Sequence, residues 1–354
     1  MSKPATLQDV AVRAGVHRTT VSLALRDHPR IPATTREHVK AVAARLGYRM
    51  NPLVSALMRS RRTGGATKHV TLAFVTNYPT RDGWRPVGHG RPDFFPGAEQ
   101  KARDLGYRLE HFWLAEPGMT PARLCDVLSA RGIHGLITGR LPPGQASLSL
   151  AWDRFSCVAL GMTLRSPALH RVTENHFETV TQAMHQCEQR GYRRVGFVFS
   201  APNDSPCVGD RWLGAYLVQQ RLVPAGDRVP LCPGVPADEP GFAAWFRANK
   251  PDAILATHAK PLLDWLARLG RKAPRDVGLV ELEEHPELGC AGVHYDSATI
   301  GALAVEMLVG LMHRCETGVP ANPHEVLLTG TWREGRTLPA RSLRPAARPA
   351  SSQR

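Results

Sequence analysis

The stretch that most restricts what this chain can fold into is residues 6–25, TLQDVAVRAGVHRTTVSLAL. Leu7, Val10, Ala11 and Ala14 recur at i, i+3, i+4 and i+7, which puts them on one stripe of a short helix. Gly15 follows where that helix must stop, since glycine takes the left-handed cap conformation without a Cβ clash. After a few residues the spacing resumes with Val21, Ala24 and Leu25. Two short helices joined by so tight a turn make a helix-turn-helix. Away from its apolar stripe the second helix carries Arg18, Thr19, Ser22 and Arg26, with Leu23 beside them, side chains suited to phosphates and base edges in a major groove. An ordinary helical hairpin with a solvated basic face fits the same stretch, so the residues that follow decide.

Residues 36–46 predict a third helix with Val39, Val42, Ala43 and Leu46 inward and Gly47 just past its end. Thr34 and Glu37 fit a capping box, which sets the start at Thr34. Asn51-Pro52 then supplies a cap followed by proline at a first helical position, and residues 53–59 continue as a segment too short to be a stable helix alone. Here the chain resembles the lactose-repressor (LacI/GalR) family of bacterial transcription regulators. The resemblance rests on TLQDVAVRAGVHRTTVSLAL, then TTREHVKAVAARLGY, then NPLVSAL, in order and spacing across about the first sixty residues.

That resemblance implies a second helix that reads the major groove through Arg18, Thr19 and Leu23. It also implies a hinge helix over 51–60 that folds only on operator DNA, where Leu57 wedges into the minor groove. An apolar wedge between base steps offsets unstacking by opening a bend that brings more protein onto DNA. The candidate DNA-binding set is therefore Thr6, Arg18, Thr19, Ser22, Leu23, Arg26, Asn51 and Leu57. Three residues depart from the family pattern: His17 and Pro32 replace capping serines, and Leu23 replaces a residue that is often arginine. Histidine is expected to cap poorly, and leucine can touch a thymine methyl but cannot hydrogen-bond a base.

Charge supports this reading by its position. Residues 1–62 hold twelve Lys and Arg against three Asp and Glu, so +9 of the chain's formal +14 sits in its first sixth. A localised basic patch is the footprint of a polyanion. The seven cysteines are scattered and odd in number, with no C-x-x-C pair, which argues against a disulfide framework or structural zinc and for a reducing compartment. With no signal peptide and no apolar run of membrane-spanning length read in the sequence, the expected location is the cytoplasm, away from any membrane.

Residues 61–68 lose periodicity and carry Gly64-Gly65, a linker. Beyond it, short apolar strands at 70–76, 107–113, 135–138, 157–161, 195–199, 253–257 and 277–282 alternate with helices at 94–105, 121–131, 177–190, 211–221, 241–248, 261–269 and 297–316, with a crossing near Arg171. The expected fold class is α/β: an N-terminal all-α head (residues 1–60) plus two doubly wound parallel-sheet subdomains over 69–338. Residues 339–354, rich in Pro, Ala, Ser and Arg, are expected to be a disordered basic tail.

A small ligand belongs in the cleft between such subdomains, at the carboxyl ends of the strands. The resemblance extends more loosely over this body through Phe94-Phe95, GYRRVGFV at 191–198, DRWLGAY at 210–216 and GVHYD at 292–296, and implies a fold like that of periplasmic sugar-binding proteins. It places effector contacts at Phe94, Phe95, Arg211 and Glu283, with a sugar as the implied class. Core packing is an equal alternative for the two phenylalanines. Glu283 lies in a stretch, ELEEH, that is more acidic and longer-armed than the family's usual one, and His258 stands where relatives often have aspartate. A metal held by Glu283, Glu284 and His285 is disfavoured, because neighbours on an extended chain point to opposite faces.

No nucleophile elbow, zinc-protease helix, phosphate loop or dinucleotide fingerprint is present, so the reading is a non-enzyme that needs no cofactor. The expectation is a ligand-responsive repressor binding a pseudo-palindromic operator as a homodimer. A ligand-independent regulator and a cytoplasmic small-solute-binding module are the alternatives.

Overall fold

In the computed structural model the described residues are 6–25, 30–46, 48, 70–85, 93–200, 206–283 and 286–341. Three helices form the head: α1 (Leu7–Ala14), α2 (Arg18–Ala24) and α3 (Ala33–Arg45). None is long enough to persist alone in water, so their packing holds them. Val10, Ala11, Ala14, Val21, Ala24, Val39, Val42 and Ala43 are buried together, half of them alanines that let the short helices approach closely. Gly15 ends α1 in the left-handed conformation at φ 64°, as its position predicts. The third helix begins earlier than expected. Pro32 is its cap residue, with φ fixed at −53°, so Thr34 is already helical and the Thr34–Glu37 capping box does not form.

The body starts with β1 (Val70–Thr76), α4 (Phe95–Asp104), β2 (Tyr107–Trp113), α5 (Pro121–Ala130), β3 (Gly135–Thr138), β4 (Ser156–Leu160) and β5 (His170–Glu174). Along β1 the side chains alternate: Leu72 and Phe74 enter the core under α4, while Ala73 and Val75 enter the core under α5. Both faces are covered, which is why these strands read as unbroken apolar runs.

The chain then builds a second subdomain from α6 (His176–Gln189), β6 (Val195–Val198), α7 (Pro206–Leu222), α8 (Glu239–Asn249), β7 (Ala253–Ala256), α9 (Ala259–Arg268), β8 (Gly278–Glu281) and β9 (Ala291–His294). It returns to the first through α10 (Ser297–His313) and β10 (Glu325–Leu328), and finishes in the second with β11 (Thr331–Arg333). The first sheet is parallel with order β10-β5-β4-β3-β1-β2. The second has order β11-β9-β8-β7-β6 with only β11 antiparallel. Three short connections cross between the sheets, after Glu174, His294 and Leu328. The first comes three residues after Arg171, near which a crossing was expected; Arg171 itself is inside β5 and paired with Glu325 of β10.

α4 and α10 cross at close range. A Cβ on Gly97 would stand 1.9 Å from the carbonyl oxygen of Ala298, and one on Gly301 would stand 2.0 Å from that of Phe94. Only glycine fits at either position. The packed chain also runs past residue 338, where the tail was expected to start. Tyr192 donates to the Pro339 carbonyl at 3.0 Å, and Arg341 lies 4.3 Å over the Tyr192 ring and 3.3 Å from Asp252. No helix among the described residues is long and apolar enough to cross a membrane.

Candidate nucleic-acid interface and effector cleft

The reading helix is held at its start by an unexpected cap. His17 Nδ1 accepts from the Thr19 backbone N–H at 3.3 Å and lies 3.2 Å from the Thr19 hydroxyl. The histidine therefore does the work of the serine it replaces, in the tautomer that leaves Nδ1 unprotonated. Arg18 and Thr19 are exposed at the first turn of α2, whereas Ser22 and Leu23 are half-buried one turn on. Thr6 is also a cap: its hydroxyl accepts from Asp9 N at 3.3 Å, and Asp9 Oδ2 accepts from Thr6 N at 2.7 Å. Arg26, Asn51 and Leu57 lie outside the described residues, as do the linker at 61–68 and the 51–60 hinge.

In the body, polar side chains gather where the carboxyl ends of the first sheet meet α7. Arg140 Nη2, just past β3, donates to Glu174 Oε1 at the end of β5 at 2.9 Å, and Thr173 Oγ1 donates to Oε2 at 2.9 Å. His176 Nε2 lies 3.9 Å from the same carboxylate, and the His176 ring meets Trp212 of α7 edge-on at 5.3 Å. Burial alone would raise the Glu174 pKa, but Arg140, His176 and the hydrogen bonds outweigh it and hold the carboxyl below its ordinary value. Burial likewise lowers the His176 pKa, to about 4, with Arg140 and Arg211 adding to the effect and Glu174 opposing it. The imidazole is neutral at pH 7.

Several of these groups have nothing to bond. Among the described residues, both His176 ring nitrogens, Trp212 Nε1, Arg140 Nε and Thr138 Oγ1 are buried without hydrogen-bond partners. Each such atom costs about 1–3 kcal/mol if it stays unsatisfied, and isolated cases are rare in native proteins. They are grouped at the junction of the two sheets, where they could bond the polar groups of a small ligand.

The four effector residues expected from sequence are not brought together. Phe94 is buried beneath the Arg140 guanidinium, 5.3 Å from ring to Cζ, and so floors this junction. Phe95 turns away into an aromatic cluster, 5.1 Å from Phe74 and 5.4 Å from Trp84. Arg211 points across to the first subdomain, where its Nη2 donates to Glu325 Oε2 at 3.0 Å. Glu283 is half-buried beyond β8, near enough to Tyr295 to add to the rise in that phenol's pKa, which burial dominates. Tyr295 in turn bonds the Thr179 hydroxyl and donates to the Asn175 carbonyl at 3.1 Å. His258 stands at the cap position of α9 without a side-chain capping bond to that helix, and its backbone N–H donates to Ser200 Oγ at 2.8 Å. The residues that do converge, Arg140, Glu174, His176 and Trp212, escaped sequence reading. Only Arg140 follows a predicted strand; Glu174 and His176 lie where the sequence predicts no strand, and Trp212 sits inside DRWLGAY without being singled out.

This geometry accompanies two sequence matches. The pattern of the bacterial regulatory proteins of the lacI family covers residues 6–51, and that of the periplasmic binding protein-like domain covers residues 184–338. The chain belongs to the LacI family. It is a DNA-binding transcription regulator with a helix-turn-helix head and a periplasmic-binding-protein-like body. The HTH-type transcriptional regulator PtxS of Pseudomonas plecoglossicida is 25% identical over 317 residues, 86% of this chain and 88% of that protein. The regulator IpsA of Corynebacterium glutamicum is 23% identical over 309 residues, 77% and 81% of the two chains, and the ribose operon repressor of Bacillus subtilis 22% over 322 residues, 88% and 92%. Among solved structures, the Lac repressor dimer bound to operator and the anti-inducer ONPF aligns over 96% of this chain and all of that one, with TM-score 0.55 and 16% identity. The complex of the regulator CelR with cellobiose aligns over 94% and 99%, with TM-score 0.51 and 19% identity. At these identities the structures establish the shared fold.

Proposed function

We propose that this LacI-family regulator is a ligand-responsive repressor that binds a pseudo-palindromic operator as a homodimer in the cytoplasm. Its units are a head at 1–60 with a hinge helix at 51–60, a linker at 61–68, and an effector-binding and dimerisation body at 69–338 followed by a basic tail. Arg18, Thr19, Ser22 and Leu23 meet base edges, and Thr6, Arg26 and Asn51 add contacts beside them while Leu57 enters the minor groove. A small polar effector, of the sugar class that the CelR complex also holds, lodges between the sheets against Phe94, Arg140, His176, Arg211 and Trp212. Phe95 and Glu283 complete the set of effector contacts that the resemblance implies. One observation carries the reading: the chain that exposes Arg18 and Thr19 on its reading helix also buries the unpartnered nitrogens of His176 and Trp212 where its two sheets meet. A ligand that completes those bonds in one arrangement of the subdomains shifts the population toward it, by no more than its differential affinity.

The test is fluorescence anisotropy on labelled DNA from the gene's own upstream region, with unrelated duplex as competitor. Arg18→Ala is expected to cost about 1–3 kcal/mol in operator affinity and to relax base preference; equal loss on random duplex assigns Arg18 to phosphate alone. A thermal-shift screen over small metabolites supplies the second arm, since a ligand at a hundred times its dissociation constant adds about 2.7 kcal/mol. Trp212→Phe is expected to keep operator affinity and lose the response to the metabolite found. An unchanged response moves the effector elsewhere.

A further inference from the structure

The arginine at the centre of this reading already holds a carboxylate. Arg211 Nη2 donates to both oxygens of Glu325, at 3.0 and 3.3 Å, and Arg171 Nε approaches Glu325 Oε1 at 3.5 Å. Glu325 opens β10 in the first subdomain and Arg211 belongs to α7 of the second, so a single carboxylate ties the two together. Arg171 is buried, and its Nη1 and Nη2 donate to the carbonyls of Gly161 and Leu164 at 3.1 Å each, which fixes its guanidinium in place.

Of the two carboxylates at this junction, only one is exchangeable. Glu174 is fully enclosed, with one oxygen bonded by Arg140 and the other by Thr173. Glu325 has a side chain 37% exposed, on a short edge strand, where water weakens its ion pairs. The groups beside Arg211 are chiefly donors: Trp212 Nε1, one nitrogen of the neutral His176, and Arg140 Nε. A rigid buried arginine, a second arginine from the facing subdomain and unpartnered N–H groups form a cradle for oxygen atoms that carry negative charge.

We propose that the effector bears an oxyanion, a carboxylate or a phosphate, which takes the place of Glu325 between Arg211 and Arg171 and so bridges the subdomains. The proposal rests on the junction being the effector site. A neutral polyol makes a poor exchange, because it returns no charge for the carboxylate that Arg211 gives up. Glu325 acts as a resident stand-in for the ligand's charged end.

The full-length chain is titrated, at fixed ionic strength, with pairs matched in shape but not in charge: gluconate against glucose, glycerol phosphate against glycerol, and inorganic phosphate alone. Binding is read by calorimetry and by displacement from labelled operator, and the relative strength of the gluconate and phosphate arms identifies the oxyanion. Glu325→Gln removes the stand-in and is expected to bind the anionic probes about tenfold tighter than the native chain, a gain that misfolding cannot produce. Arg211→Gln is expected to lose anion binding, with Arg211→Lys between the two. No gain in Glu325→Gln, anion affinity retained in Arg211→Gln, or neutral members binding better than their anionic partners each overturns the proposal. Operator affinity without probes is measured in parallel. Its absence in the native chain overturns the assignment as a repressor, whereas intact operator binding with no gain in Glu325→Gln overturns the oxyanion alone.

Discussion

The head and the cleft satisfy their polar groups over opposite distances along the chain. In the head, Thr6 and Asp9 bond each other three residues apart, and His17 caps the Thr19 N–H two residues on. In the cleft, Arg140 reaches Glu174 across 34 residues and Arg211 reaches Glu325 across 114. Local bonds of the first kind form whenever a short segment folds. Those of the second kind exist only when both sheets are complete and docked. The head is therefore held by local bonds, while the cleft concentrates burial and unmet hydrogen-bonding capacity, the properties of a region whose arrangement a ligand can change.

The sharpest way to break this contrast is at Glu174. Glu174→Ala leaves Arg140 beside His176 without its carboxylate, and removing one partner of a buried pair costs about 3–5 kcal/mol. Urea unfolding should show that loss, whereas Thr6→Ala in the head should cost about 1 kcal/mol. A loss at Glu174 no larger than at Thr6 would end the comparison. Acid sharpens it. The Glu174 carboxyl is held below its ordinary value of 4.5, so its contribution is whole above that pH and disappears as pH falls through the lower folded-state value. His176 has its pKa lowered from 6.5 to about 4, so between those values the unfolded chain binds the extra proton. Stability of the body should therefore fall as pH drops from 6.5 toward 4, and His176→Phe should flatten that slope in a series of urea midpoints.

The next effect comes from the crossing of α4 and α10. In an exposed helix Gly→Ala stabilises by about 1 kcal/mol. At Gly301 the sign should reverse, because the added methyl meets the Phe94 carbonyl oxygen at 2.0 Å and overpacking costs about 1–3 kcal/mol. Thermal midpoints of Gly301→Ala and the native chain decide between the two signs.

The same contrast explains what could be read beforehand. The strands Val70–Thr76 and Gly135–Thr138 were legible to the residue because burial on both faces leaves an apolar run, and Tyr107–Trp113, at the sheet edge, because buried Tyr107 and Leu109 alternate with more exposed Arg108 and Glu110. β10 and β11 were not, since Glu325–Leu328 and Thr331–Arg333 are short, half-exposed edge strands held by neighbours distant in sequence. Arg171 reads only as lying near a crossing, because no apolar run marks the strand His170–Glu174 that contains it. Its partners include the carbonyls of Gly161 and Leu164 and the carboxylate of Glu325, and only the folded sheet supplies them together. In the cleft, sequence pointed to Arg211 but to neither Glu174 nor His176, whose significance is their burial. Resemblance could locate the arginine; it could not say that a carboxylate of the same chain holds it.

The smallest predicted effect lies in the head, at His17. Ranked as a cap, histidine falls below serine, yet here the ring spans the first turn of α2 and its Nδ1 takes the Thr19 N–H at 3.3 Å. That length is beyond the usual range for such a bond, and both groups are exposed, so its contribution is modest. His17→Ala should cost about 0.5–1 kcal/mol in the stability of the head. His17→Ser should restore or slightly exceed the native value, since a shorter side chain reaches the same donor with less ordering. The histidine also lies 3.2 Å from the Thr19 hydroxyl, fixing the orientation of a side chain assigned to base contact. If that second contact matters, His17→Ser keeps stability but changes the relative affinities for operator variants, measured by anisotropy. If stability and operator preference move together in both variants, His17 is a cap and nothing more.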